Sequence, residues 1–187
     1  MATSPKSGEK TPDQQQLPAQ KAQREPQDAA YARAQDAIAT ARTSDASDLT
    51  LSGDDFSDLT ELPPDIGTLT ALTDLSLSGT QVSDISALSG LTGLTWLYLS
   101  RTEINDISAL SGLTALSGLS LLGTPVNDLS PILPLTQLVD APKYGGLAFR
   151  NTAAARADRR IAEIAGIQDD AKRATDLCAY LKNVTPT

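Results

Sequence analysis

Three aspartates recur through the middle of the sequence at an interval of 22 residues: Asp84, Asp106 and Asp128. Carboxylates stacked at a regular spacing could supply the oxygen ligands of a calcium ion or of another metal ion. Each aspartate also precedes a short turn that carries a serine two residues later, and an Asp in that position accepts hydrogen bonds from free backbone amides. We therefore expect these aspartates to cap turns rather than to bind a metal.

The composition excludes most catalytic chemistry. The chain has no histidine, which removes Ser-His-Asp and Cys-His catalysis and every His-containing metal site. Its one cysteine, Cys178, cannot form an internal disulfide, and we expect it to be a buried structural thiol because no histidine is present to serve as its base. No glycine-rich nucleotide-binding motif is present. The sequence therefore predicts a protein that is not an enzyme and has no cofactor.

A carboxylate-based hydrolase, similar in chemistry to a glycosidase, is the remaining catalytic alternative. It would need two carboxyl groups converging on one cleft, with the pKa of one of them raised. The acidic residues instead fall in predicted turns at the spacing of the repeat, which argues against this alternative.

A gapless repeat of 22 residues positions the aspartates, and its three copies are residues 69–90, 91–112 and 113–134. After the leucines of each copy come a threonine, a Val or Ile, and then the aspartate. A fixed period of this length predicts a solenoid, in which each coil buries its apolar face only by stacking on its neighbours. The recurring leucines are Leu69, Leu72, Leu75 and Leu77; Leu91, Leu94, Leu97 and Leu99; and Leu113, Leu116, Leu119 and Leu121.

The spacing LxxLxLxxTxV resembles the leucine-rich repeat of bacterial proteins, in the 22-residue internalin-like or phosphatase-regulator-like class. The resemblance covers residues 46–152, with an earlier coil at Leu49, Leu51 and Phe56 and a last strand within residues 147–152. It implies an α/β solenoid with a short parallel β-sheet on its concave face and helical caps at both ends. It also implies a protein ligand on the strand face.

Threonines occupy the position at which the family most often carries asparagine. Thr80, Thr102 and Thr124 follow the leucines of the three copies. We expect their hydroxyl groups to replace the asparagine by bonding to backbone groups in the turn.

The sequences on either side of the repeats predict a tail and two caps. Residues 1–25 are rich in Pro, Gln, Lys and Ser and predict a disordered tail, and residues 26–45 predict an N-terminal capping helix that begins at Pro26. Its apolar stripe is Ala30, Ala34, Ala37, Ile38 and Ala41. Residues 153–187 predict a C-terminal helical cap with two helices, over 157–167 and 169–183, the second capped by Asp169 or Asp170.

Two aromatic residues, Trp96 and Tyr98, alternate with buried-type leucines and should therefore point outward together from one strand. Large aromatics flanked by small or polar residues are typical of an interface hot spot. Trp96 could also shield the backbone of Gly118 in the next coil, and one role does not exclude the other. The candidate partner-binding residues are Asp74, Ser76, Trp96, Tyr98 and Ser120 on the strands, together with Arg101.

Charge predicts the kind of partner. Residues 45–140 contain thirteen Asp or Glu and a single basic residue, Arg101, which leaves this segment near −12. We expect a protein partner with a basic surface and no nucleic acid, because the segment repels phosphate backbones.

The N-terminus lacks the apolar core of a secretory signal, and no run of apolar residues is long enough to span a membrane. We expect a cytoplasmic monomer. The alternative is that the Ser-, Pro- and Gln-rich head directs export by a non-classical route, which would make the protein a bacterial effector that binds its ligand in a host.

Overall fold

The computed structural model describes the backbone of residues 17–140 and 146–184 and the side chains of residues 27–138 and 146–184. Five parallel strands form one sheet in chain order, and the buried leucines at their centres lie in register from Leu49 to Leu147. Each predicted repeat therefore forms one coil of a solenoid, as the sequence predicted. The strands are β1 (Asp48–Thr50), β2 (Asp74–Ser76), β3 (Trp96–Tyr98), β4 (Gly118–Ser120) and β5 (Leu147–Ala148).

Short 3₁₀ segments form the other wall of the coils and stack on one another from coil to coil. Their bounds are Pro64–Thr68, Ser86–Leu88, Ser108–Leu110 and Ser130–Ile132, while a further segment, Asp54–Phe56, packs against the N-terminal helix. Between this wall and the sheet lies a core in which the recurring leucines are buried, with Leu97 and Leu99 fully inaccessible to solvent. The predicted first coil and last strand are both present.

The threonines close each coil from inside. Thr80, Thr102 and Thr124 are buried, and each hydroxyl donates to the carbonyl oxygen three residues earlier over 2.8 Å. Thr152 repeats this bond in the last coil over 3.0 Å. The expected replacement of asparagine by threonine is confirmed, and it satisfies a polar group that would otherwise be buried without a partner.

Helix α1 (Leu17–Ser44) packs against the first coil. The stripe is confirmed, since Ala30, Ala34, Ile38 and Ala41 are buried and Ala37 is partly buried. The helix begins at Leu17 rather than at Pro26, because the segment before Pro26 is rich in the strong helix formers Ala, Gln, Lys, Arg and Glu. Residues 1–16 of the predicted tail lie outside the described residues.

Helix α2 (Gln137–Asp140) lies in the last coil before β5, and in the described residues three helices follow the repeats: α3 (Ala153–Ala157), α4 (Arg159–Ala165) and α5 (Asp170–Val184). The two predicted helices correspond to α4 and α5, while the short helices α2 and α3 were not predicted. Asp169 caps α5, accepting from the amide of Lys172 over 2.6 Å. Asp158 caps α4, accepting from the amides of Arg160 and Ile161.

Candidate binding surface on the strand face

The outward side chains of β1 to β4 form a surface that we call the strand face, and Trp96 and Tyr98 lie on its middle strand. Their rings are stacked, with centroids 6.4 Å apart and planes inclined by 14°. Tyr98 is 42% exposed and Trp96 is partly buried. Leu97 between them points the other way and is buried, so the predicted alternation of the strand is confirmed. The pair presents a flat aromatic area to solvent.

Trp96 covers Gly118 on the neighbouring strand. The two residues are register partners, and a β-carbon on Gly118 would lie only 2.1 Å from Cε3 of the indole ring. Only glycine therefore lets the ring lie flat over β4, and Gly118 is buried as a result. The predicted shielding role is confirmed. It also fixes the ring, which leaves Tyr98 as the more exposed member of the pair.

Small and acidic residues surround the aromatic pair. Ser76 and Ser120 are the register partners of Tyr98 on either side, and Asp74 is the partner of Trp96 on β2. Asp74 accepts a hydrogen bond from Thr73 over 2.7 Å, and the hydroxyl groups of Ser100 and Ser120 lie 2.7 Å apart. The five predicted strand residues are thus brought together on one face.

Arg101 lies at the edge of this face, in the turn after β3, and not in the rows of strand residues. It is exposed and has a positive φ of 56°. Leu122 and Arg150 line the same edge and were not among the predicted partner-binding residues. Leu122 is 38% exposed. The repeat alignment does place Leu122 on the strand face, in the row of Ser78 and Ser100 of the preceding coils.

The aspartate ladder lies away from the strand face and caps the turns that lead into the 3₁₀ segments. Asp84, Asp106 and Asp128 each accept from the backbone amide two residues later over 2.8 Å. The pKa of Asp84 and that of Asp106 are lowered mainly by these backbone bonds and to a smaller extent by bonds from the serine hydroxyls. The predicted capping role is confirmed, and a lowered pKa is the reverse of what a general acid needs.

Within the described residues, no three His, Cys, Asp or Glu side chains are placed to hold a metal ion. Cys178 is only partly buried, whereas the sequence predicted a buried thiol. The buried apolar residues of α5 are Ala174, Leu177 and Leu181, and Cys178 lies beside this row rather than in it. Burial raises the pKa of the Cys178 thiol, and nearby Lys182 opposes this effect. In the part of the chain that the structure describes, no helix has the length and apolar character to cross a membrane.

Comparison with solved structures finds proteins that are similar to part of the chain. No protein-family model matches the chain, and no curated protein matches it. An internalin of Listeria monocytogenes, InlF, is 31% identical over 57% of this chain and 35% of its own, with a TM-score of 0.49. The matched part of this chain is similar in sequence to that internalin. Internalin C2 of the same organism is 38% identical over 44% of this chain and 38% of its own, with a TM-score of 0.40. The chain therefore spans little more than a third of the length of either internalin.

Proposed function

We propose that the protein is a non-catalytic module that binds a protein ligand on the strand face. The observation that carries the proposal is the stacked pair of partly buried Trp96 and exposed Tyr98, which lies among the small or polar residues of β1, β2 and β4. Aromatic residues on a rigid surface dominate the binding energy of protein interfaces, and the small residues around them let a partner approach closely. The ring of Trp96 is already held against Gly118, so little side-chain entropy is lost when a partner covers it.

The ligand that this surface fits has basic residues. Asp48 and Asp74 are register partners on β1 and β2, beside the aromatic pair, and the surrounding segment is near −12. A cationic side chain of the partner can approach the two carboxylates and contact the face of an aromatic ring at the same time. Opposite charge of this kind mainly raises the association rate and fixes the orientation of the partner.

Two substitutions test the proposal at little cost to the fold. Tyr98→Ser introduces the residue that both register partners of Tyr98 already carry, so the coil should tolerate it. Asn105→Ser is the matched control, because Ser83 occupies the equivalent position of the preceding coil and Asn105 is exposed near the 3₁₀ wall.

The experiment is an affinity capture from a cell lysate with wild type and the two variants, quantified by mass spectrometry. We expect one captured protein to be enriched equally by wild type and by Asn105→Ser. Its enrichment by Tyr98→Ser should be about tenfold lower, which corresponds to a loss of roughly 1.4 kcal/mol of binding free energy. Equal enrichment of every captured protein by all three forms would place the binding surface elsewhere.

A further inference from the structure

One backbone position of every coil has a positive φ, and one of its occupants is unusual. The equivalent residues are Gly53, Gly79, Arg101, Gly123 and Asn151, with φ values from 56° to 85°. Glycine adopts this conformation freely and asparagine tolerates it, whereas arginine does so at an energetic cost. The backbone amides of Gly79, Arg101 and Gly123 each donate to the next coil along the solenoid. The turn therefore needs no arginine for its structure.

Arg101 carries a charge that no described residue neutralises. Among the described residues its side chain has no ion pair and no hydrogen bond, although the segment around it contains thirteen acids. Its Cγ passes over Gly123 in the next coil, 3.7 Å from where a β-carbon of Gly123 would lie. The side chain thus lies across the stack of coils with a free guanidinium group.

A second arginine is fixed at the same place. Arg150 Nε donates to the carbonyl oxygen of Ala165 over 2.9 Å, and Nη2 donates to that of Gly166 over 3.2 Å. These bonds anchor the guanidinium on α4 without cancelling its charge, because both acceptors are neutral. Arg101 and Arg150 line one depression of about 540 Å³, whose other walls include Ser78 and Ser100 and contain no Asp or Glu.

We infer that Arg101 and Arg150 form an anion subsite at one end of the strand face, which receives a carboxylate side chain of the bound protein. The inference rests on the proposed function and adds an orientation to it. The face is acidic at β1 and β2, where Asp48 and Asp74 lie, and basic beyond β3. A ligand with a basic residue and an acidic residue on either side of its aromatic contact therefore docks in one direction only.

A carboxylate fits the subsite better than a phosphate. Guanidinium groups bind either anion through paired hydrogen bonds. The protein carries a formal net charge of −8, however, and this field repels a doubly charged phosphate more strongly than a singly charged carboxylate.

The test needs no natural partner. Wild-type full-length protein is titrated with the blocked peptide acetyl-Gly-Glu-Gly-amide, and the side-chain Nε–H resonances of its arginines are followed by NMR. The Gln peptide acetyl-Gly-Gln-Gly-amide and inorganic phosphate are titrated in parallel. We expect a saturable shift of the Arg101 and Arg150 resonances with the Glu peptide, and affinity at least about tenfold weaker for the Gln peptide and for phosphate.

Arg101→Gly is the decisive variant, because Gly79 and Gly123 occupy the equivalent positions. The melting temperature of this variant should equal or exceed that of wild type, and its affinity for the Glu peptide should be about tenfold lower. Arg159→Gln is the control for charge alone, since the side chain of Arg159 is 93% exposed and lies outside the subsite. It should bind the Glu peptide as wild type does.

Three results would overturn the subsite: unchanged peptide affinity in Arg101→Gly, a fall in its melting temperature, or phosphate binding more tightly than the Glu peptide. Because the peptide assay does not involve Tyr98, it can fail while capture by the aromatic pair succeeds, and the reverse is equally possible.

Discussion

The repeat body (residues 48–138) and the C-terminal helices α3 to α5 are stabilised by different kinds of contact. In the repeat body each stabilising feature occurs several times: a buried leucine row, a buried threonine bonded to a carbonyl oxygen, and an aspartate that caps a turn. In the C-terminal helices, apart from the aspartate caps of α4 and α5, the polar contacts between elements have no repeated equivalent. Arg173, only 8% exposed, donates to the carbonyl oxygens of Leu147 and Ile167 and pairs with Asp170.

The contact between α4 and α5 also includes a polar bond that occurs at one place only among the described residues. The hydroxyl of Tyr180 donates to Asp158 over 2.6 Å, while Asp158 also caps α4. The hydrogen bond with Tyr180 is the main reason that the pKa of Asp158 is lowered, and it is also the main reason that the pKa of Tyr180 is raised. The difference between the two regions is that the contacts of the body recur from coil to coil, whereas the bonds of Arg173 and of Tyr180 each occur at a single place in the C-terminal helices.

The largest effect is expected in the centre of the repeat body. Leu97→Ala should lower the free energy of unfolding by roughly 2 to 5 kcal/mol, because Leu97 is fully buried between Leu75 and Leu119 and its removal leaves a cavity. Leu122→Ala is the matched control at an exposed leucine and should cost under about 0.5 kcal/mol. Denaturant melts measure both, and equal losses in the two variants would mean that the strand faces are wrongly assigned.

A smaller and more local effect is expected at Arg173. Arg173→Ala should cost about 2 to 3 kcal/mol, because it leaves the buried carbonyl oxygen of Leu147 and the partly buried one of Ile167 without their charged donor. Hydrogen exchange should show faster opening of α5 while the amide of Leu97 stays protected. The control Arg159→Ala removes an exposed arginine and should change little. Opening of both regions together would contradict their independence.

The smallest effect is expected at alkaline pH. The pKa of Tyr180 is raised in the folded state, so its contribution to stability is present below its unfolded pKa of about 10 and is lost as the pH rises through the folded value. Between pH 7 and roughly pH 11, the melting temperature of wild type should therefore fall further than that of Tyr180→Phe. Identical losses in the two proteins would show that the Tyr180–Asp158 bond does not contribute.

The same contrast explains what the sequence could predict. Leu97, Thr102 and Asp106 each have equivalents 22 residues away, and three copies of one pattern leave little choice of environment for any of them. The strand register, the threonine bonds and the aspartate caps could therefore all be predicted, and so could the grouping of Trp96 and Tyr98. Arg173 could not be placed, since its partner Leu147 is 26 residues distant and nothing in the spacing connects them.

The edge of the candidate surface could be predicted only in part from the sequence. Arg101 could be singled out from the sequence only because it is the one basic residue of an acidic segment. Its positive φ could not be predicted. Arg150 enters the same depression because an insertion makes the last coil 28 residues long, as the register of Leu147 with Leu119 shows. Arg150 takes the place of Leu122 in the last coil, but nothing in the spacing predicts its bonds to the carbonyl oxygens of Ala165 and Gly166.

The central claim is that the aromatic pair on the strand face holds the protein ligand. The most direct measurement is the dissociation rate of the captured partner from immobilised wild type, Tyr98→Ser and Asn105→Ser, at two salt concentrations. Tyr98→Ser should speed dissociation by about tenfold or more with an unchanged melting temperature, Asn105→Ser should match wild type, and added salt should slow association only. A complex that dissociates from Tyr98→Ser at the wild-type rate would contradict the claim.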